Sequence, residues 1–331
     1  MNATARRERG RCGGAAGTYG LAALLALAGA LACSRQQVSI EKEPVDAATT
    51  GASAVACPKG LAGPPLVLVP SPGSGSFCMD ARETTRGEYD SFLAAKGSDG
   101  GGQAPECSWN DSFVPTLWPL DPADDNPPLY YCPPEHWNGM HADWAVDCVD
   151  FCDALAYCEW AGKRLCGRVG GPAKWGRVYI AYKTKDEYDA FVPVAKSVES
   201  EFVSACTQGG ATKYPYGDQY EPARCIDSKW VEKYGADSVA VADTSSRECH
   251  GTEPPYDAIY DLSGNVGEWQ NMCYYWPNVP EIGGSLLGGS RDPSDVGRQD
   301  CVGDYGKASA RSVFGNVGIR CCADAVPAPG S

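Results

Sequence analysis

The chain has 331 residues, with 28 Lys and Arg against 42 Asp and Glu, and a formal charge of −14. That balance excludes a nucleic-acid surface, which needs a basic footprint, and fits an exported acidic protein able to gather divalent cations. With 39 Gly, 25 Pro and 17 Cys, turns and loops are expected to outweigh long helices.

The amino terminus reads as a targeting segment. Arg6, Arg7, Arg9 and Arg11 form a basic head, and Leu21 to Leu31 is an apolar Leu/Ala run too short to span a membrane comfortably. Ala30-Leu31-Ala32-Cys33 then resembles a bacterial lipoprotein signal, whose cysteine is lipidated after cleavage. The Leu usual three places before that cysteine is Ala30 here. The alternatives are a secretory signal cut near Ala32 or an uncleaved anchor, and every option exports the chain. Residues 1–33 are therefore read as signal, 34–56 as a flexible tether, 57–324 as the folded domain and 325–331 as a disordered tail. The implied location is the bacterial cell envelope, lipid-anchored through Cys33 on the periplasmic or surface face.

Export makes the cysteines legible. Setting Cys12 and Cys33 aside, 15 remain between Cys57 and Cys322, which in an oxidising compartment reads as a disulfide framework with one thiol left over.

Leu66-Val67-Leu68-Val69 predicts a strand stopped by Pro70, and Phe77-Cys78-Met79-Asp80 a second strand. Cys57 and Cys78 flank this unit and are expected to pair. Glu83 to Leu93 predicts a helix, with Thr85 and Glu88 at capping-box spacing and Tyr89, Phe92 and Leu93 on the buried face. Residues 97–140 read as a long structured loop with Cys107 and Cys132 as a candidate staple. His136 and His141 lie there; two loop histidines can hold a metal, but ordinary surface histidines are the simpler reading.

Asp147 to Arg164 gives the clearest helix, with Cys148, Cys152 and Leu155, and Phe151, Leu155 and Cys158, at i, i+4, i+7. Gly162 is its expected stop, with Lys163 and Arg164 at its negative end. No Cys-x-x-Cys spacing occurs among Cys148, Cys152, Cys158 and Cys166, so separate disulfides are favoured over zinc. A helix is expected around Asp186 to Val203. Cys206 and Cys225 bracket Tyr214-Pro215-Tyr216-Gly217 and are expected to close that loop. Gly318 to Cys321 predicts a short strand.

The stretch Asp261-Leu262-Ser263-Gly264-Asn265-Val266-Gly267-Glu268-Trp269 sets two carboxylates around a Ser-Gly-Asn turn. Convergent oxygens of this kind suit calcium. By itself the stretch reads more simply as an Asn-Gly-type hairpin with two solvated acids, since it lacks the EF-hand pattern.

Several landmarks now stand in one order: Phe77-Cys78-Met79-Asp80 with Glu83-Thr84-Thr85, Tyr89 and Phe92; Ala156-Tyr157-Cys158-Glu159-Trp160-Ala161-Gly162-Lys163-Arg164-Leu165; and Tyr214-Pro215-Tyr216-Gly217. They continue with Asp261 to Trp269, Gly283-Gly284-Ser285, Ala310-Arg311-Ser312 and Gly318-Ile319-Arg320-Cys321. Together they resemble the sulfatase-modifying-factor family, which includes the formylglycine-generating enzyme. The resemblance implies an irregular, loop-rich α+β fold related to C-type lectins, a disulfide between Cys158 and Cys321, and calcium held by Asp261, the carbonyls of Gly264 and Val266, and Glu268. The family's second calcium site begins with Asn where Cys225-Ile226-Asp227 stands here.

Members that oxidise a sulfatase cysteine carry two copper-binding cysteines three and eight residues past Ser285. Those positions are Gly288 and Pro293, and Cys301, with Cys273 as its candidate partner, is the cysteine of that loop. The favoured reading is a non-catalytic, calcium-stabilised binding or structural protein, anchored to the membrane by lipid and facing a peptide, glycan or protein ligand. The alternative is an oxygen-dependent oxidoreductase, of the formylglycine-generating or non-haem iron type, acting on a cysteine or small thiol. Iron would draw on His136, His141 and His250, which show no triad spacing; a shifted copper pair would draw on Cys301.

Overall fold

A computed structural model describes residues 54–71, 75–97, 100–115, 132, 134–235, 248–275, 282–289, 300–303 and 306–328. The signal segment, Cys33, the tether up to residue 53 and Pro293 lie outside these residues. Short, nearly continuous apolar runs build the first sheet. Strand β2 (Leu66–Ser71) pairs antiparallel with β3 (Gly75–Asp80), β3 with β10 (Cys321–Asp324), and β10 with β4 (Arg164–Leu165). Pro70 does not stop β2, because β2 is the edge strand of this sheet and a proline tolerates an edge, where no partner needs its missing N–H.

The second sheet is centred on β6 (Gly267–Tyr275), which pairs with β5 (Ile180–Tyr182), β7 (Ile282–Leu287) and β9 (Val317–Gly318); β8 (Gly306–Ser309) joins β7. β6 is buried on both faces. Trp269 and Cys273 join one core cluster, with Phe151, Tyr89 and Phe92. Met272 and Tyr274 join the other, with Met79 and Phe202. A two-stranded ribbon of β1 (Val55–Ala56) and β11 (Val326–Pro327) closes the ends. The expected tether and tail thus each give up their innermost residues to this pairing.

Helix α1 (Arg86–Lys96) begins at Thr85 with the full reciprocal capping box to Glu88. Helix α2 spans Pro134–Gly139 and α3 spans Phe151–Trp160. α3 starts later than the periodicity predicts. Asp150 caps it in a second box with Asp153, while Cys148 sits at φ 61, outside helical space, held by Cys132. Helix α4 covers Gly171–Trp175. The helix expected over 186–203 is two: α5 (Lys185–Ala195), with Pro193 inside its last turn, and α6 (Glu201–Cys206), newly capped by Ser200. Helix α7 covers Ser228–Tyr234.

Seven disulfides lie among the described residues: Cys57–Cys78, Cys107–Cys152, Cys132–Cys148, Cys158–Cys321, Cys166–Cys322, Cys206–Cys301 and Cys225–Cys249. Such a framework belongs to an exported protein in an oxidising compartment. No described helix is long and apolar enough to cross a membrane.

Three pairings differ from expectation. Cys206 and Cys225 do not close the Tyr214 loop. That loop holds itself by stacking Tyr214 on Tyr216 at 5.5 Å and by Gln208 donating to Pro215 O, which frees Cys206 for Cys301. Cys107 turns to α3 rather than to Cys132, because Asn110 donates to Asp153 at 2.9 Å and draws the loop onto that helix. Cys301 leaves Cys273 as a free, buried thiol in β6, pushed well above its ordinary pKa by burial.

Candidate metal centre

The loop before β6 is shaped by its backbone. Asp261, Gly264 and Asn265 all have positive φ, at 58, 84 and 53°. A Cβ at Gly264 would stand 2.5 Å from Ile226 O, so glycine is required there. Asn265 N donates to Ile226 O at 2.7 Å and Gly264 N to Gly288 O at 2.8 Å. Leu262, Val266 and Trp269 are buried and anchor the turn; the Trp269 indole donates to Val149 O.

These anchors leave Asp261, Asn265 and Glu268 buried with their polar ends inside. Two distant segments meet them. Arg320 occupies the break between β9 and β10, where the chain crosses from one sheet to the other. Its guanidinium is fully buried. It donates to Glu268 Oε1 at 2.7 Å, Asp80 O at 3.0 Å and Tyr260 O at 2.9 Å, and lies 3.7 Å from Glu83 Oε2. Glu83, just ahead of α1, accepts from Asn265 Nδ2 at 3.2 Å.

Acids crowd this point: Glu83, Asp261 and Glu268 all face the Arg320 guanidinium, and Arg82 also acts on Glu83. Burial pushes Glu268 up to about 8 despite Arg320 and raises Glu83 as well. Glu83 Oε2, Glu268 Oε2 and Asn265 Oδ1 have no hydrogen-bond partner among the described residues. Buried oxygens without donors and an excess of negative charge are what a hard cation satisfies. The residues therefore fit calcium. Asp261 and Glu268 would offer carboxylates, Gly264 and Val266 would offer carbonyls, and a bound calcium would add positive charge beside Arg320.

Glu83, Asn265 and Arg320 were not singled out from sequence. A signal existed for Arg320: it is the one charge within Val317-Gly318-Ile319-Arg320-Cys321-Cys322, and a cation in so apolar a run needs a buried partner.

The other candidate positions serve the fold. Asp227 caps α7, accepting from Trp230 N at 2.8 Å, Tyr220 OH at 2.6 Å and Ala223 N. Gly288 has φ 104, and a Cβ there would stand 3.1 Å from the Phe202 ring. Lys163 and Arg164 do not tend the end of α3; they enter the core to meet Asp80 and Glu201. Exposed His141 stacks on Trp144 at 4.8 Å, His250 Nδ1 meets Gly251 O at 2.7 Å, and His136 lies on α2. Among the described residues, the His, Cys, Asp and Glu side chains that come together in a group of three within 4.8 Å are Cys166, Glu201 and Cys322, but the two sulfurs are joined to each other and Glu201 is gripped by Arg164 and Gly167 N.

Among solved structures, PvdO from Pseudomonas aeruginosa is similar at 15% identity, covering 79% of this chain and 92% of that one, with a TM-score of 0.45. CarF is similar at 15% identity, with 80% and 96% covered and a TM-score of 0.38. The Treponema denticola variable protein 1 is similar at 15% identity, with 83% and 100% covered and a TM-score of 0.39. Comparison with curated protein sequences finds no match. The Sulfatase-modifying factor enzyme 1-like domain matches residues 73–325, taking in the second sheet, every strand of the first sheet but β2, and every residue of the Arg320 cluster, and the chain belongs to that family.

Proposed function

We propose that this is a lipid-anchored member of the family that works as a calcium-stabilised binding or structural domain and does not use a copper dithiolate. The carrying observation is Gly288. It stands where copper-using relatives place their first thiolate, at a positive φ that favours glycine and against the Phe202 ring. The remaining thiol chemistry supports the same reading. Cys301 is committed to Cys206, and Cys273 is buried with its thiol held protonated. Calcium at Asp261, Gly264, Val266 and Glu268 would fix the loop before β6 and with it Glu268, whose other oxygen accepts from Arg320 between the two sheets. The ligand class is a peptide, a glycan or another protein on the loop face.

The test supplies copper(I), oxygen and a cysteine-containing sulfatase peptide to the mature protein and follows the peptide mass. The expected result is no change. Loss of about 18 mass units at the cysteine, the exchange of its CH2–SH for an aldehyde with oxygen as the oxidant, abolished by Cys301→Ser, would overturn the reading in favour of an oxidase with shifted ligands.

A further inference from the structure

The edge strand β2 leaves part of its backbone unpaired. Its register sets Pro70 against Ser76 of β3. Proline has no N–H, so that pair is one of the non-hydrogen-bonded pairs of the ladder, and Leu66 and Leu68 share its phase. Pro65, of the opposite phase, points its carbonyl inward and accepts from Ala81 N at 2.8 Å. The N–H and C=O groups of Leu66 and Leu68 thus face outward, and among the described residues no backbone group hydrogen-bonds to them. Free strand edges recruit further strands unless something covers them.

A cleft of about 680 Å³ adjoins this edge. Val67 and Val69 face the core, so Leu66 and Leu68 turn their side chains to the cleft, which they line with Val55, Leu61 and Pro64. Val55 leaves 40% of its surface in solvent. The charged residues of the lining are Lys59 and Lys163. Lys163 is held by Asp80 and Pro64 O, whereas Lys59 is exposed. No acid lines the cleft, although the chain carries 42 Asp and Glu against 28 Lys and Arg. Apolar walls, outward peptide groups and one exposed cation therefore meet at a single place on an acidic protein.

We infer that this edge is a docking site for an extended segment of a partner protein, apolar at alternate residues and acidic beside them, which joins the first sheet as a further strand against β2. Residues opposed across a strand pair share a face. The partner's residues opposite Leu66 and Leu68 thus enter the cleft beside those leucines, and an Asp or Glu next to them reaches Lys59. Pro70 offers no N–H and ends the receptive stretch, so the recognised segment is short. Charge and shape select a partner segment over a second copy of this chain. A second copy would bring cleft to cleft about a two-fold axis, leave both hollow and set Lys59 against Lys59. The inference rests on reading the chain as a binding domain, but it involves neither copper nor the calcium residues, so the two can fail separately.

Fluorescence anisotropy of a labelled peptide, Thr-Val-Thr-Val-Glu-Glu, titrated with the mature protein tests this. Saturable binding is expected. Leu68→Pro removes an outward N–H without touching the ladder to β3, and should weaken binding by about tenfold. Lys59→Glu, at an exposed residue, should weaken it by about threefold and make the same peptide ending in Lys-Lys the better ligand. Thermal melts check that both variants fold, and Lys59→Glu keeps the test decisive if Leu68→Pro disturbs the sheet. No saturable binding at about 1 mM, or equal affinity in the wild type and Lys59→Glu, would overturn the inference. Dimerisation of the wild type that Leu68→Pro abolishes would also overturn it, by assigning the edge to a second copy.

Discussion

Two kinds of buried ion cluster sit in this core, built to different rules. In the first, each acid is matched. Asp80 takes Lys163 on one oxygen and Cys321 N, at 3.0 Å, on the other. Glu201 takes both arms of Arg164 and Gly167 N. In the second, Glu83, Asp261 and Glu268 share Arg320, and oxygens of Glu83, Glu268 and Asn265 are left over. A matched pair staples distant segments: Lys163–Asp80 ties the end of α3 to β3, and Arg164–Glu201 ties β4 to α6. An unmatched cluster in equally deep burial costs several kcal/mol unless something neutralises it. The difference separates structural charge from a site.

The comparison breaks most visibly on the matched side. Lys163→Met should cost about 3–5 kcal/mol, because it strands Asp80 in a dry interior, while leaving calcium content unchanged. Burial already pushes Asp80 up to about 7 against the pull of Lys163. The loss should therefore be larger at pH 8 than at pH 5, where the stranded acid can hold a proton. Denaturant melts at the two pH values check this.

A smaller effect is expected between the two clusters. Gly288→Ala puts a Cβ at a left-handed position and onto Phe202. A cost of about 1–3 kcal/mol should follow, read by thermal melting. A neutral result would mean that the segment relaxes readily and that the Gly288 position is not closed to larger side chains.

The smallest effect sharpens the rule at a third place, the Asp150–Asp153 capping box. Burial raises Asp150 from 3.8 to about 7 and raises Asp153 as well, the latter also through the Asp150 charge. Folded acids with raised values hold protons that the unfolded chain releases near pH 4. Stability should therefore fall as pH rises from about 4 to about 7. Asp150→Asn keeps an oxygen for the cap and should shrink the stability difference between pH 5 and pH 8 by on the order of 1 kcal/mol.

Much of this was legible in residue order. The α1 capping box, the Cys57–Cys78 and Cys158–Cys321 bridges, the β2–β3 hairpin and the tight turn ahead of Trp269 all rest on local chemistry or on landmarks that the family resemblance supplied. What was not legible depended on distance. Cys206 finds Cys301 across 95 residues because α6 lies under Leu262, a packing fact without a local signature. Glu83 meets Asn265 across 182 residues. Lys163 and Arg164 looked like helix-end cations because their acids, Asp80 and Glu201, are remote in sequence. Pro193 within α5 and Ser200 ahead of α6 did carry a break signal in the residue order.

The most direct test of the account is the metal content of the mature protein and of its Glu268→Gln variant, produced in an oxidising compartment and measured by elemental mass spectrometry. The account predicts calcium in the wild type, one equivalent fewer and a lower thermal midpoint in the variant, and no stoichiometric copper or iron in either. Equal calcium in the two proteins, or bound copper or iron, would contradict it.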